Sequence, residues 1–345
     1  MSYSKTKKVL ALLLTICMVL ASSSYAKAYE DDYPDMSNAE LAKTSITMYR
    51  VGYHNAHDSV AILNAPDLSY DFFDYRCSNR NLNVNCYLDI GTKSIEIYAS
   101  GTGSGVLTFT LNNKLLYLSI SVVPVNINKQ SLLIVKKKKA KLKLKNYSAK
   151  ANWMVTKKNI VSISSSGEVK AKKIGNTVAY AKVGNDYIGC AISVVSKKMK
   201  TVVNAAYKIS KGKYSQPKRM KKGYYDCSSL VWRAYKKAKI TLANKYYAPV
   251  AADLAKYYVK KKKKIKGGKS SKNISKMKLL PGDLYFCTGT KNGRYKGINH
   301  VEMFTGYVCV DIGSPGDITI LPKWGTVADG YYYDKSIMVR PYKQK

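Results

Sequence analysis

The stretch "YYDCSSLVWRAY", from Tyr224 to Tyr235, decides how the C-terminal part of this chain folds. After Cys227, apolar residues recur at the spacing of one helical face. These residues are Leu230, Val231, Ala234, Tyr235 and Ala238. Asp226 or Ser228 can cap the first turn, because their side-chain oxygens accept backbone N–H groups. The pattern predicts a helix that begins at or just after Cys227.

A cysteine at a helix start is compatible with two roles. The unpaired N–H groups and the dipole of the first turn favour a thiolate, which is the form of cysteine that attacks a carbonyl carbon. Cysteine is also a common small apolar residue of protein cores. The position of Cys227 alone does not distinguish a nucleophile from a buried core residue.

A thiol nucleophile usually works with a histidine base. The chain has three histidines, and His300 is the one that follows Cys227, whereas His54 and His57 lie near the N-terminus. In "HVEMFTGY", His300 shares one face with Glu302 and Phe304, while the residues between them lie on the other face, and this is typical of a strand. A cysteine at a helix start facing a histidine on a sheet is the papain-like arrangement.

Three sequence blocks resemble those of the NlpC-type cysteine peptidases of bacterial cell walls. "YYDCSSLVWRAY" resembles their "FDCSGLV" block, "LLPGDLYF" resembles "L.PGDLvFF", and "NHVEMFTG" resembles "HVGIYLG". The blocks follow in the same order, and "SIMVRPY" resembles the closing strand. The resemblance covers about residues 200–343. It implies a papain-like α+β fold and hydrolysis of amide bonds in peptidoglycan stem peptides, commonly the D-γ-glutamyl–diamino acid bond.

The resemblance implies roles for the matching residues. Cys227 is the nucleophile and His300 the base. The family's third polar residue follows the base by about a dozen positions, where this chain has "CVDIGS", so Asp311 is the candidate to orient the imidazole. The alternative for Asp311 is a turn residue beside a glycine. Tyr214 matches by position a tyrosine that the family has near the scissile carbonyl.

Asp226 and Ser228 flank the nucleophile and complete the predicted site. Backbone N–H groups of Cys227 and Ser228 can stabilise an oxyanion. Ser229 stands where the family block has a glycine, and this change removes no reacting group. The Cys–His mechanism requires no metal and no cofactor.

The middle of the chain contains an internal repeat. Residues 103–123 and 175–195 align at a constant offset of 72, and both end in "ISVV". Each has a glycine start, an alternating strand, an Asn-containing turn and a second alternating strand, which predicts a hairpin. Residues 152–183 resemble the bacterial Ig-like group 2 domain, with Trp153 as core tryptophan and turns at Gly167 and Gly175. This resemblance implies a spacer or adhesion module and no chemistry.

The N-terminal residues have the parts of a secretory signal peptide. Basic residues come first, an apolar run follows from Val9 to Ala21, and "AKA" ends at Ala28. The alternative is an uncleaved anchor. The predicted organisation is a signal peptide (1–28), a degenerate Ig-like β domain (29–124), an Ig-like group 2 domain (125–197) and an NlpC-like peptidase domain (198–345). The fold class is therefore multidomain, with all-β sandwiches followed by an α+β catalytic domain.

The charge of the chain is strongly and unevenly positive. The formal net charge is +38, yet residues 29–124 hold 11 acids and 6 bases, while residues 125–345 hold 10 acids and 49 bases. Such a field attracts polyanions. For an exported chain, anionic wall polymers replace nucleic acid as the expected partner, and no stable membrane span is expected after signal cleavage. For the lysine runs at 136–139 and 260–264, the alternative is a solvated face.

Three other interpretations remain open on the sequence. A zinc site could use Cys227, Cys287, His300 and Cys309, although their spacing fits no usual zinc motif. A non-catalytic wall-binding or adhesion protein would keep the fold without the reaction, and an amidase or acyl transferase would use the same Cys–His pair on another amide. Cys77 and Cys86 are either a disulfide or two half-buried thiols.

Overall fold

The computed structural model describes residues 35–66, 68, 70, 73–266, 270–289, 291–310, 319–325 and 336–345. The predicted signal peptide and Asp311 lie outside these residues. The chain divides into two compact units, which are described separately here. The first comprises Met1–Met48 and His57–Val122, and the second comprises Tyr49–Ala56 and Val123–Lys345.

The described part of the first unit is built from strands in two sheets. One sheet has the order β1-β3-β6-β5, and the other contains β4, β7 and β8, with β2 also on β8. Along β6 the apolar side chains of Ile95, Ile97 and Ala99 are buried while the residues between them face outward. The strands are β1 (Glu40–Leu41), β2 (Ser45–Val51), β3 (Ala56–Leu63), β4 (Phe73–Cys77), β5 (Val84–Asp89), β6 (Ser94–Ala99), β7 (Gly103–Leu111) and β8 (Lys114–Ile127).

The second unit begins with another two-sheet sandwich. Its sheets have the orders β10-β14-β13 and β12-β15-β16-β9, and their inner faces share one apolar core. Trp153 is half-buried at the edge of this core, and Gly167 makes its turn at φ 84°, where a Cβ would lie 2.4 Å from the Leu142 carbonyl oxygen. The strands are β9 (Ser131–Val135), β10 (Lys139–Lys141), β11 (Leu144–Lys145), β12 (Trp153–Val155), β13 (Val161–Ile163), β14 (Glu168–Ala171), β15 (Gly175–Val183) and β16 (Asp186–Val195).

The hairpins predicted from the repeat are confirmed. In the first copy Gly103 pairs with Val122, and in the second Gly175 pairs with Val194, so the offset of 72 holds in the strand pairing as well. The first turn is Asn112–Asn113, and both residues have positive φ (41° and 66°). Asparagine tolerates this left-handed backbone, which two-residue hairpin loops require.

The rest of the second unit is α+β. Its antiparallel sheet has the order β21-β20-β19-β22, and helices pack against it. All-β units followed by an α+β part confirm the predicted fold class. The elements are α1 (Lys197–Ile209), β17 (Lys213–Tyr214), β18 (Tyr224–Tyr225), α2 (Cys227–Lys237), α3 (Ala251–Lys260), α4 (Ser270–Ser275), β19 (Leu284–Thr288), β20 (Ile298–Val310), β21 (Thr319–Trp324) and β22 (Ile337–Val339).

The second sandwich and the α+β part share a continuous core. Val178 and Ala191 of the sandwich are buried against Phe304 and Tyr307 of β20. Polar contacts cross the same boundary, since Ser131 Oγ donates to the Tyr307 carbonyl at 2.7 Å. Within the second unit, residues 125–197 are therefore packed directly onto the α+β part.

Asn176 makes the best-defined polar connection across this boundary. It is 3% exposed, and its Nδ2 donates to the carbonyls of Met277 (3.0 Å) and Leu279 (2.6 Å). Its Oδ1 accepts a hydrogen bond from Ser193 Oγ at 2.8 Å. The equivalent residue of the first repeat is the exposed Ser104. The second copy of the repeat thus makes a buried polar contact at a position that is exposed in the first copy.

We predict that Asn176→Ala lowers the free energy of unfolding by about 2–4 kcal/mol, because it leaves buried carbonyl groups without donors. Urea unfolding followed by circular dichroism, which reports both units, measures the change. The matched control is Ser104→Ala, which should stay within about 0.5 kcal/mol of the wild type because the site is exposed. Equal effects of the two substitutions would contradict this account.

Candidate active site

Helix α2 begins at Cys227, as the apolar spacing predicts. Asp226 is the N-cap, and its Oδ1 accepts the backbone N–H of Ser229 at 2.7 Å. In return, the Asp226 backbone N–H donates to Ser229 Oγ at 2.9 Å, which completes a capping box. Ser229 therefore has a definite function at the position where the family block has glycine. The box fixes the residue at which the helix starts, and so the position of Cys227.

Arg219 supports this helix start from the preceding loop. Its Nε lies 3.2 Å from Asp226 Oδ2, as an ion pair rather than an aligned hydrogen bond. Its Nη2 donates to Ser228 Oγ at 3.1 Å and to the Ala248 carbonyl at 2.8 Å. Sequence reasoning did not identify Arg219, since no local pattern links it to Asp226.

His300 lies near the start of β20 and pairs in register with Cys287 of β19. Its ring lies close enough to the Cys227 side chain for the two to interact by hydrogen bonding and charge. Cys227 is 5% exposed, whereas the His300 side chain is 31% exposed. A sulfur beside a partly accessible imidazole is the pairing that a Cys–His nucleophile uses.

Glu302 is the second polar partner of His300. Its Oε1 lies 2.6 Å from His300 Nε2, and its side chain is 4% exposed. The alternating pattern of the sequence places Glu302 on the same strand face as His300 but indicates no role for it. The signal was the spacing of two along the strand, which puts both side chains on one face.

The surroundings of His300 favour its protonated form. Burial by itself lowers the pKa of His300, but hydrogen bonds and charges from Cys227 and Glu302 oppose it and raise the pKa to about 10. The imidazole of His300 is thus protonated over a wide range of pH.

Tyr214 lies beside Cys227. It pairs with Tyr225 between β17 and β18, and the two rings meet edge to face at 5.6 Å. Its hydroxyl lies close enough to Cys227 to interact with it by charge and hydrogen bonding. Burial, followed by the charge of Cys227 and this hydrogen bond, raises the pKa of Tyr214 to about 12. The phenol therefore stays protonated near neutral pH and can donate a hydrogen bond.

The structure brings Cys227, His300, Tyr214, Asp226 and Ser228 together. Asp311 lies outside the described residues, so its role stays a prediction. The other two histidines have partners elsewhere in the chain, His54 with Asp186 at 3.0 Å and His57 with Glu96 at 2.5 Å.

The ligand set of the zinc interpretation does not converge. Cys309 is nine residues after His300 on the same strand, which places it roughly 30 Å away at the usual rise per residue. Cys309 is fully buried in the core shared with the sandwich. Within the described ranges, no group of three or more His, Cys, Asp or Glu side chains is arranged to hold a metal ion.

Comparison with known families bears directly on this site. Residues 211–311 match the NlpC/P60 family. The matched segment contains Tyr214, Cys227 and His300, and it confirms the resemblance found in the three sequence blocks. In the part of the chain that the structure describes, no helix is both long and apolar enough to cross a membrane.

Solved structures of invasin and intimin are similar to parts of the chain. The bacterial integrin-binding protein invasin is 16% identical, with a TM-score of 0.30, over 48% of this chain and 40% of the invasin chain. A C-terminal 282-residue fragment of intimin is 14% identical, with a TM-score of 0.30, over 64% of this chain and 88% of the fragment. The chain thus spans less than half of the invasin chain. A comparison with curated protein sequences found no match.

We predict that Ser229→Ala lowers the free energy of unfolding by about 1–2 kcal/mol, because the buried Asp226 N–H loses its acceptor. Ser229→Gly should cost about 1 kcal/mol more, since glycine is disfavoured within a helix. Urea unfolding followed by tryptophan fluorescence suits this test, because Trp232 lies in the same helix. A Ser229→Gly protein as stable as the wild type would show that the capping box contributes nothing.

Proposed function

We propose that this protein is a secreted peptidoglycan hydrolase that cleaves amide bonds of cell-wall stem peptides, commonly the D-γ-glutamyl–diamino acid bond, with Cys227 as nucleophile. The observation that carries the proposal is the closeness of His300 to Cys227 at a capped helix start, where Cys227 helps to raise the pKa of His300. The match of this segment to the NlpC/P60 family supports the substrate class. The signal-peptide pattern of residues 1–28 supports export.

In the first step the Cys227 sulfur attacks the amide carbonyl. Negative charge develops on the carbonyl oxygen, and donors already in place stabilise it at little reorganisation cost. The backbone N–H groups of Cys227 and Ser228 and the Tyr214 hydroxyl are the donors proposed for this role. Removal of one such donor typically slows acyl transfer by about 10²–10³-fold.

His300 then moves the protons of the reaction. The imidazolium gives its proton to the leaving amine, and the C–N bond breaks to form a thioester on Cys227. The neutral imidazole next takes a proton from water, which attacks the thioester and releases the acid and the free thiol. The Cys227–His300 pair suffices for both steps, and transfer to an amine instead of water would make the same site an acyl transferase.

The basic surface supports retention on the wall. Both lysine runs, 136–139 and 260–264, are exposed. A cleft of about 460 Å³ lies beside the second lysine run and extends its basic surface. The lining of this cleft carries no acidic side chain. Its residues are Lys263, Lys264, Ile265, Lys266, Lys278 and Arg340. Teichoic acids and acidic glycans are the polyanions expected to bind such a surface.

We expect the mature chain to release stem-peptide fragments from purified peptidoglycan, and Cys227→Ala to release none, because the nucleophile is gone. Mass spectrometry of the soluble products identifies the bond that is cut. His300→Ala should likewise abolish release. A Cys227→Ala protein that releases the same fragments would exclude this mechanism, and wall binding without products from any variant would favour an adhesion protein.

Wall binding should weaken as salt is added, because screening shortens the reach of surface charges from about 30 Å at 0.01 M to about 3 Å at 1 M ionic strength. A pull-down with purified wall at increasing sodium chloride measures this, and Cys227→Ala keeps the wall intact during the assay. Wall stripped of its anionic polymers is the control and should bind much less. Equal binding at every salt concentration would refute the electrostatic interpretation.

A further inference from the structure

The buried carboxylate of Glu302 has no role in the steps described above. It lies two residues after His300 on β20, with its Oε1 2.6 Å from His300 Nε2. Glu302 is 3% exposed, and a carboxylate is rarely buried so completely unless it is paired. The family block quoted above has glycine at this position, so the carboxylate is a feature of this chain.

We propose that Glu302 is the positioning residue of the catalytic histidine, accepting a hydrogen bond from Nε2–H so that Nδ1 is directed to Cys227. The hydrogen bond at one ring nitrogen determines the tautomer and the ring orientation, and therefore the nitrogen that is available for proton transfer. This inference rests on the Cys227–His300 pair of the proposed function. It differs from the prediction that Asp311, eleven residues after His300, orients the ring.

A carboxylate does more than an amide in this position. An asparagine or glutamine can hold the ring, but a carboxylate also stabilises the imidazolium by charge. The groups that face His300 among the described residues come from three elements. Cys227 approaches from α2, Cys287 is the register partner on β19, and Glu302 lies on the same strand. Tyr214 of β17 contacts Cys227, and Arg219 is paired with Asp226.

The consequence is a reactive pair that persists at alkaline pH. The pair is lost when the imidazolium gives up its proton, and the pKa of His300 is raised to about 10. Loss of the Glu302 charge would lower this pKa. The alkaline limit of Cys227 reactivity should therefore move to lower pH in a variant without the carboxylate.

The test is the pH dependence of Cys227 alkylation by iodoacetate, read by peptide mass spectrometry in the mature chain. Iodoacetate is an anion, so an imidazolium beside the thiolate accelerates the reaction and its deprotonation slows it. No peptidoglycan is involved, so the result is independent of whether the wall is the substrate. Cys77, on β4 of the other unit, is a free, half-buried thiol rather than half of a disulfide with Cys86, so it is alkylated in the same sample and is the internal reference.

Three variants separate charge from orientation. Glu302→Gln keeps a hydrogen-bond acceptor but loses the charge. The fall of its alkylation rate at high pH, here called the alkaline limb, should therefore occur at a pH about 1–3 units lower than in the wild type. Glu302→Ala loses both, so it should show the same shift and a lower rate at every pH. Glu302→Asp keeps the charge and should restore part of the alkaline limb. Labelling of Cys77 should be the same in all four proteins.

Thermal unfolding of each variant shows whether it is folded, and Glu302→Gln is nearly isosteric with the wild type. The inference is wrong if folded Glu302→Gln and Glu302→Ala both keep the wild-type alkaline limb. It is equally wrong if Asp311→Asn moves the limb and Glu302→Gln does not. A shifted limb in a protein that releases nothing from peptidoglycan would support the role of Glu302 and refute the proposed substrate.

Discussion

The packing of helix α2 onto strand β20 is the constraint on which the site depends. Leu230 and Val231 of the helix and Val301 and Met303 of the strand belong to one buried cluster. Burying a side chain of this size contributes about 1.5–3 kcal/mol. Because Cys227 begins the helix and His300 lies near the start of the strand, the packing that forms the core also sets the Cys–His contact. The capping box at Asp226 then fixes the first residue of the helix.

Strand β20 is covered on both sides, and this explains why the second sandwich belongs to the same compact unit. One face of the strand meets the helices, while Phe304 and Tyr307 on the other meet Val178 and Ala191 of the sandwich. Without the sandwich, two large aromatic side chains would be exposed to water. The strand that carries His300 and Glu302 is therefore held from both directions, which limits the movement of the imidazole.

Charge is separated between the surface and the interior of the second unit. The lysine runs are exposed, while the buried carboxylates of Asp226, Asp283 and Glu302 each have a cationic or protonatable partner. Arg219 is paired with Asp226, and His300 is paired with Glu302. Arg340 contacts Asp283 at 2.7 Å. Burial raises the pKa of Asp283, and Arg340 opposes that shift. The excess of cations thus lies on the surface, where it can attract polyanions, whereas the acids inside are each held by a specific partner.

The sequence by itself determined the local features of this protein. Helical spacing and a capping residue predicted where α2 begins, and alternation with an Asn-containing turn predicted the repeated hairpins, because both patterns arise from neighbours in the chain. Tertiary structure alone decided the contacts between distant segments: Tyr214 beside Cys227, Arg219 on Asp226, and the sandwich against β20. Glu302 lies between these cases. Its place on the face of His300 follows from the period of a strand, but its burial and its contact with Nε2 depend on how the sheet is covered, which no local pattern specifies.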